Sequence, residues 1–342
     1  MTATTNETRQ KIVVVGGGSG SSNILRGLKK HDVDLTAIVT MFDSGGSTGL
    51  LRSEFGYPSF GDLRQCIVAL SDDRLDTRRF GEALQFRFGS NTSLNGHSVG
   101  NLLLAALTTL NGNLEDAIGD ISRLLKVSGR VVPVALSQAE LCAELEDGQV
   151  LTGESKIDLR GNVLPKIARI FLDERVEANP NAIKAVLEAD VVIFGPGDLY
   201  TSILPNLLPE GMREAFSQTR ATKLLVCNLM TKRGETDDFK ASDFVRELEA
   251  YLEDTSIDWV IVNSKRPDSQ VEHSYEAEGA FFVEPDLEQL RTLVNGVMAL
   301  PLASSELPLR HDPERTVEAI LQASDVGPIA APLNRVASKL DD

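Results

Sequence analysis

The stretch Lys11–Leu28, KIVVVGGGSGSSNILRGL, decides how this chain is read. Ile12–Val15 is a β-branched run, the composition of a parallel strand covered on both faces. It ends at Gly16, Gly17 and Gly18, passes through Ser19, Gly20, Ser21 and Ser22, and gives way to helical patterning over Asn23–Lys30. Strand, glycine turn and helix in that order form an anion cradle. Glycines let the backbone approach an anion closely, and a helix N-terminus aims unpaired N–H groups at it. Gly16 and Gly18 occupy the first two positions of a dinucleotide-binding fingerprint, but Ser21 takes the third and no P-loop lysine follows. A tight strand-to-helix turn with no ligand is the alternative for one such loop, but more glycines and serines stand here than a turn needs, and the reading takes further support from elsewhere.

That support lies outward along the chain. Leu35–Met41 reads as a second strand, followed by Asp43 where a Rossmann-type fold carries a ribose-binding carboxylate. Asp43 also opens a second small-residue loop, DSGGSTG, with Ser44, Gly45, Gly46 and Ser47, leading to Arg52. A third buried strand, Asp190–Phe194, ends in Gly195, Pro196, Gly197 and Asp198, with Tyr200, Thr201 and Ser202 opening a short helix. In an open parallel sheet, ligands gather at the carboxyl ends of the strands, so three such loops predict one crevice. In FGDLRQCIVAL, Gly61 and Asp62 mark a helix start, with Asp62 either a simple N-cap or, with Arg64, at the crevice mouth. His97 and Asn101 stand at the start of a strongly apolar helix, where they serve either as caps or at an anion site.

The predicted class is α/β: a Rossmann-like open, mostly parallel sheet with helices on both faces and an added helical portion at about 61–127. Residues 11–323 read as a single domain between tails at 1–10 and 324–342. Ala139–Leu145 reads as a short turn of helix, Lys166–Leu172 as an edge strand and Lys265–Tyr275 as a charged loop. Phe281–Val283 reads as a short strand, and the last helix as Glu314–Gln322.

Charge and cysteines narrow the function classes. The chain has 342 residues and a formal net charge of −16, which argues against a nucleic-acid or anionic-membrane surface. It does not exclude a nucleotide, which backbone amides hold locally. Cys66, Cys142 and Cys227 are widely spaced and odd in number, fitting a reduced, cytoplasmic compartment. The first ten residues are polar, unlike a signal peptide, and no apolar run reaches membrane-spanning length. A homodimer is the expectation for such a sheet.

Eight blocks now stand in order: VVVGGGSG, FDSGGSTGLLRSEFG, FGDLRQCIVAL, GHSVGNLLLAAL, LTGESKI, GPGDLYTSILPNLL, NLMTKRGETDDF and RHDPE. Together they resemble the YvcK group of gluconeogenesis factors within the CofD family, over about residues 11–323. Two positions depart from the group's pattern: a single Asp43 between Phe42 and Ser44 replaces paired aspartates, and Asp198 replaces a serine. The resemblance implies a Rossmann-like fold and a site for a nucleotide or nucleotide sugar, UDP-N-acetylglucosamine being the associated ligand. It also implies a role in cell shape and cell-wall control during gluconeogenic growth. By the same match, Tyr275 and Arg310 help hold the nucleotide sugar.

Two chemistries follow. In a ligand-sensing regulator, the glycine loops hold a diphosphate, Asp43 meets a ribose hydroxyl or a metal-bound water, and Arg52, Arg64 or Arg310 offsets the phosphate charge. Tyr275 stacks on uracil, and no nucleophile is required. In a CofD-like transferase, a phospholactyl-type unit passes from a guanosine diphosphate carrier to a deazaflavin with Mg2+. Asp43 is then the metal ligand, and Asp43, Asp62 and His97 are the catalytic candidates. An NAD(P)-dependent oxidoreductase is a weaker alternative, because it leaves the second glycine loop without a role.

Overall fold

A computed structural model describes residues 9–45, 57, 59–89, 93–161, 165–304 and 307–327. Its frame is a seven-stranded, wholly parallel sheet. The chain enters through β1 (Gln10–Gly16), α1 (Gly18–Leu28) and β2 (Val33–Val39). Four helices follow: α2 (Gly61–Ala69), α3 (Leu75–Gln85), α4 (Val99–Asn111) and α5 (Leu114–Leu125). After β3 (Arg130–Pro133), strands β4 (Leu141–Leu145), β5 (Val150–Thr152) and β6 (Ile167–Leu172) form a separate antiparallel sheet, with α6 (Glu154–Asp158) between the last two. The second half runs α7 (Pro180–Leu187), β7 (Val191–Phe194), α8 (Met212–Gln218), β8 (Thr222–Val226), α9 (Ala241–Leu252) and β9 (Trp259–Asn263). It closes with α10 (Ser269–Ala277), α11 (Leu287–Leu293), β10 (Gly296–Leu300) and α12 (Pro313–Val326).

Strand order in the large sheet is β10-β9-β8-β7-β1-β2-β3. The chain moves from β1 outward to β2 and β3, then returns to β7 on the other side of β1. The reversal therefore lies between β1 and β7, where an α/β sheet opens a crevice at its carboxyl rim. Ile12–Val15 and Val191–Phe194 are paired in register and buried, as strands covered by helices on both faces must be. On one face α1 and α12 approach so closely that a Cβ on Gly27 would meet Val317 Cγ2 at 2.7 Å and the Pro313 carbonyl at 3.0 Å.

Several local expectations change. Helix α1 begins at Gly18, so Ser19, Gly20, Ser21 and Ser22 form its first turns and not a loop before it. Leu141–Leu145 is a strand, because pairing with β5 and β6 overrides the helical propensity of LCAEL. Ser269–Ala277 is a helix where a charged loop was expected; it buries none of its residues, so no apolar periodicity announced it. Phe281–Val283 contributes only the isolated bridge between Phe282 and Met230. The last helix continues to Val326, past Gln322. All three cysteines are free and buried, and among the described residues no helix is long and apolar enough to cross a membrane.

Candidate functional site

The loops after β1 and β7 are in contact. Ser21 Oγ donates to the Pro196 carbonyl at 3.4 Å, and a Cβ on Gly20 would collide with that same carbonyl oxygen. A Cβ on Gly16 would come within 3.9 Å of Gly195 Cα, and one on Gly197 within 3.6 Å of the Gly17 carbonyl. Gly16 and Gly195 also adopt positive φ, +156° and +74°, which L side chains rarely adopt. Asn228, just after β8, fixes the third loop through a reciprocal amide clamp: Gly197 N–H donates to Asn228 Oδ1 at 3.3 Å, and Asn228 Nδ2 donates to the Gly197 carbonyl at 2.9 Å.

A cleft of about 210 Å3 opens beside this junction. It is lined by Ser19, Gly20 and Asn23 of α1, by Pro196–Asp198 and Asn228, and by Tyr275, Arg310 and His311. Asn23 Nδ2 donates to the His311 carbonyl, and Tyr275 Oη accepts from Leu309 N–H at 2.8 Å. His311 itself is buried and donates Nε2–H to the Cys227 carbonyl at 3.0 Å; burial brings its pKa down to about 4, so the ring is neutral.

Carboxylates gather on the β2 side. Asp62 stands in the first turn of α2, whose N-cap is Phe60, so the expectation that Asp62 caps the helix fails. Its carboxylate instead reaches the first glycine loop, accepts the Gly18 N–H, and fills the space where a Gly17 Cβ would stand. Burial, then the charge of Asp43, pushes the Asp62 pKa up to about 7. Asp43 accepts Gly45 N–H at 2.7 Å and Ser59 Oγ–H at 3.2 Å. Glu154 at the start of α6 hydrogen-bonds to Asp43 and accepts Ser44 N–H at 3.3 Å. Burial and the Asp43 charge raise its pKa well above the usual carboxylate range.

A second acidic group lies at the other end of α6. Asp158, Asp198 and Glu235 have oxygens within 4.8 Å of one another. Lys232 Nζ sits among them, paired with Asp158, with Asp198 at 2.6 Å and with Glu235 at 3.1 Å. Burial alone would lower the Lys232 pKa, but the charges of Glu235 and Asp198 outweigh it and raise it. Glu235 also accepts Tyr200 N–H at 3.3 Å and Thr201 Oγ1–H at 3.4 Å, so these two residues are buried against an internal carboxylate. Ser202 lies one residue on and donates its N–H to the Asp198 carbonyl at 2.8 Å.

The helical portion takes up other nominated residues. Arg64 is buried, donating Nε–H to Asn101 Oδ1 at 3.0 Å and Nη1–H to Gln85. Burial and the Arg87 charge bring its pKa down to about 10. His97 precedes Ser98, the N-cap of α4, and its carbonyl accepts Phe88 N–H at 2.9 Å. Gly46, Ser47 and Arg52 lie outside the described residues. The sequence reading did not single out Glu154, Asp158, Asn228, Lys232 or Glu235. A signal existed, since Glu154 falls in LTGESKI and Asn228, Lys232 and Glu235 in NLMTKRGETDDF.

Comparison with known proteins identifies the family. The family model for "2-phospho-L-lactate transferase CofD" matches residues 12–303. The chain belongs to the CofD family. It is 42% identical over 286 residues to the "Gluconeogenesis factor" of Bacillus subtilis, covering 83% of this chain and 88% of that protein. It is 39% identical over 318 residues to the "Gluconeogenesis factor" of Halalkalibacterium halodurans, covering 92% and 96%. A crystal structure of a UPF0052 family member from Bacillus halodurans superposes with a TM-score of 0.87 at 39% identity, over 92% of this chain and all of that one. These similarities place the chain on the gluconeogenesis-factor branch of the family, with the α/β fold read from its sequence.

Proposed function

We propose that this chain is a cytoplasmic regulatory factor that binds a nucleotide sugar of the UDP-N-acetylglucosamine type and so ties cell shape and cell-wall control to gluconeogenic growth. The observation that carries the reading is the junction of the first and third glycine loops at the strand reversal, opening on a polar cleft of about 210 Å3. That volume suits a diphosphate and falls short of a whole nucleotide sugar, whose pockets reach roughly 300–1,000 Å3. The diphosphate lies against Ser19, Gly20 and Asn23, and the remainder of the ligand extends past Tyr275 and Arg310. Binding is read out as a change of shape or assembly, and no nucleophile takes part.

The β2 flank would hold Mg2+ beside the diphosphate. Glu154 hydrogen-bonds to Asp43, and burial followed by the Asp43 charge raises the pKa values of Asp62 and Glu154; hard oxygen donors suit this ion. When bound, the ion would neutralise diphosphate charge. The same flank gives the transferase reading its one favouring observation, because a CofD-like transfer of a phospholactyl-type unit needs carboxylates at that place.

Thermal unfolding with different ligands tests the reading. UDP-N-acetylglucosamine raises the melting temperature of the purified chain, and NAD leaves it nearly unchanged. Stronger stabilisation by a guanosine diphosphate ester, with a deazaflavin product formed in Mg2+, replaces the regulator by the transferase.

A further inference from the structure

The two outer edges of the large sheet are finished differently. At one edge β3 ends on Pro133, which has no N–H to offer, and Asn179 Nδ2 takes its carbonyl at 3.1 Å. The small sheet is guarded in a similar way, where Tyr251 Oη accepts the Ile170 N–H of the edge strand β6 at 2.6 Å. At the other edge of the large sheet stands β10, paired with β9 on one side only.

The outer side of β10 is open. Gly296 N–H donates to the Asp258 carbonyl at 2.9 Å, and the Leu300 carbonyl accepts Ser264 N–H at 2.8 Å. Gly296, Met298 and Leu300 therefore turn their backbone groups toward β9, and the intervening Val297 and Ala299 turn theirs outward. Among the described residues nothing bonds these outward N–H and C=O groups. Val297, Met298, Ala299 and Leu300 are apolar and half-buried. No charged residue occurs from Thr292 to Ser305. Proteins guard sheet edges with lysine, proline or a bulge, and none of these interrupts β10 before Pro301.

We propose that β10 is a dimerisation edge: it pairs antiparallel with β10 of a second copy of this chain about a two-fold axis at Met298, joining the two large sheets into one. The outward groups fit this occupant. Across such an axis Val297 meets the partner's Ala299, each such pair exchanges both of its N–H···O bonds, and the two Met298 residues form the non-hydrogen-bonded pair between them. One edge thus complements itself, as a two-fold contact requires. Charge favours the same partner. Two chains of net charge −16 repel each other, and a stretch free of charge is where they can approach. The chain's own end is the competing occupant, because Trp259 Nε1 at the start of β9 donates to the Gly327 carbonyl at 3.2 Å and residues 328–342 follow from there. Pro328 and Pro332 remove N–H groups from that stretch, which makes it the poorer partner for a ladder.

Sedimentation analysis of wild type, Ala299→Pro and a chain ending at Gly327, together with oxidative cross-linking of Met298→Cys, tests the proposal. Wild type sediments as a dimer. Ala299→Pro dissociates at least about tenfold more readily, and its own fold stands because the lost N–H points out of the sheet. Met298→Cys forms an intermolecular disulfide under mild oxidation, since the Cα atoms of a non-hydrogen-bonded pair lie roughly 4.5 Å apart and the native cysteines are buried. A monomeric wild type overturns the proposal; if the chain ending at Gly327 is then dimeric, the segment after it holds the edge instead. A dimeric wild type whose Met298→Cys variant forms no disulfide places the interface elsewhere and overturns the proposal as well. Should Ala299→Pro fail to fold or leave the dimer intact, the Met298→Cys disulfide alone decides, its presence keeping β10 as the interface and its absence removing it.

Discussion

Two acidic clusters lie one helical turn apart, at the two ends of α6, and they differ in one respect. Asp158, Asp198 and Glu235 enclose Lys232, whereas among the described residues no lysine pairs with Asp43, Asp62 or Glu154. Arg64 is the cation whose charge reaches Asp62, and its donors point to Asn101 and Gln85. In the first cluster Lys232 offsets part of the charge of three carboxylates, burial still raises the Glu235 pKa to about 7, and Glu235 braces the third loop by receiving Tyr200 and Thr201. In the second, burial and the Asp43 charge raise the pKa values of Asp62 and Glu154. Asp198 thus belongs to the cluster that holds Lys232.

The comparison can be broken at its hinge first. Gly20→Val puts a side chain into the Pro196 carbonyl, backbone against backbone, and parts the loops that both clusters flank. We expect a stability loss of about 3 kcal/mol and no ligand-dependent melting shift. An unchanged shift removes the first loop from the site.

Lys232→Met tests the cluster that holds an ammonium. Three carboxylates left without an ammonium should cost about 3 kcal/mol near neutral pH, and less in acid where they take up protons. Adding Asp198→Asn to that variant should recover part of the loss. If the single variant unfolds at the wild-type denaturant midpoint, Lys232 is not what balances this cluster.

Asp62→Asn sharpens the other half through pH. An acid whose folded pKa of about 7 exceeds its ordinary 3.8 holds its proton more tightly in the folded chain. Its contribution to stability is present at low pH and lost as pH rises from about 4 through 7. In chelator, the variant should gain up to roughly 3 kcal/mol over wild type at pH 8 and almost nothing at pH 4. His311 works with the opposite sign, since its folded pKa of about 4 lies below 6.5 and its contribution fades as pH falls between those values. Parallel denaturation profiles for wild type and Asp62→Asn would mean that Asp62 carries no retained proton.

The smallest effect belongs to the clamp on the third loop. Asn228→Ala removes both amide bonds to Gly197 and should cost about 1–2 kcal/mol while weakening ligand binding. Equal urea midpoints for variant and wild type would show that the contact between the loops suffices to hold Gly197.

The strands on either side of the crevice were legible in the sequence for a simple reason. Ile12–Val15 and Val191–Phe194 are buried on both faces, so their composition alone announces them, and the glycines that end them mark the rim. Leu141–Leu145 was not legible, because its strand state depends on two partners and not on its own propensities. Neither was Gly296–Leu300, which is held at the sheet edge by β9.

The amino-acid sequence by itself determined the α/β class, the small-residue bends after β1 and β7 and the family, because each is written in contiguous residues. Tertiary structure alone decided which charges meet. It placed Asp62 against Gly17 and seated Lys232 among Asp158, Asp198 and Glu235. Electrostatic energy depends on distances of a few ångströms between groups tens to hundreds of residues apart in the chain, and only the packed sheet and its helices fix those distances.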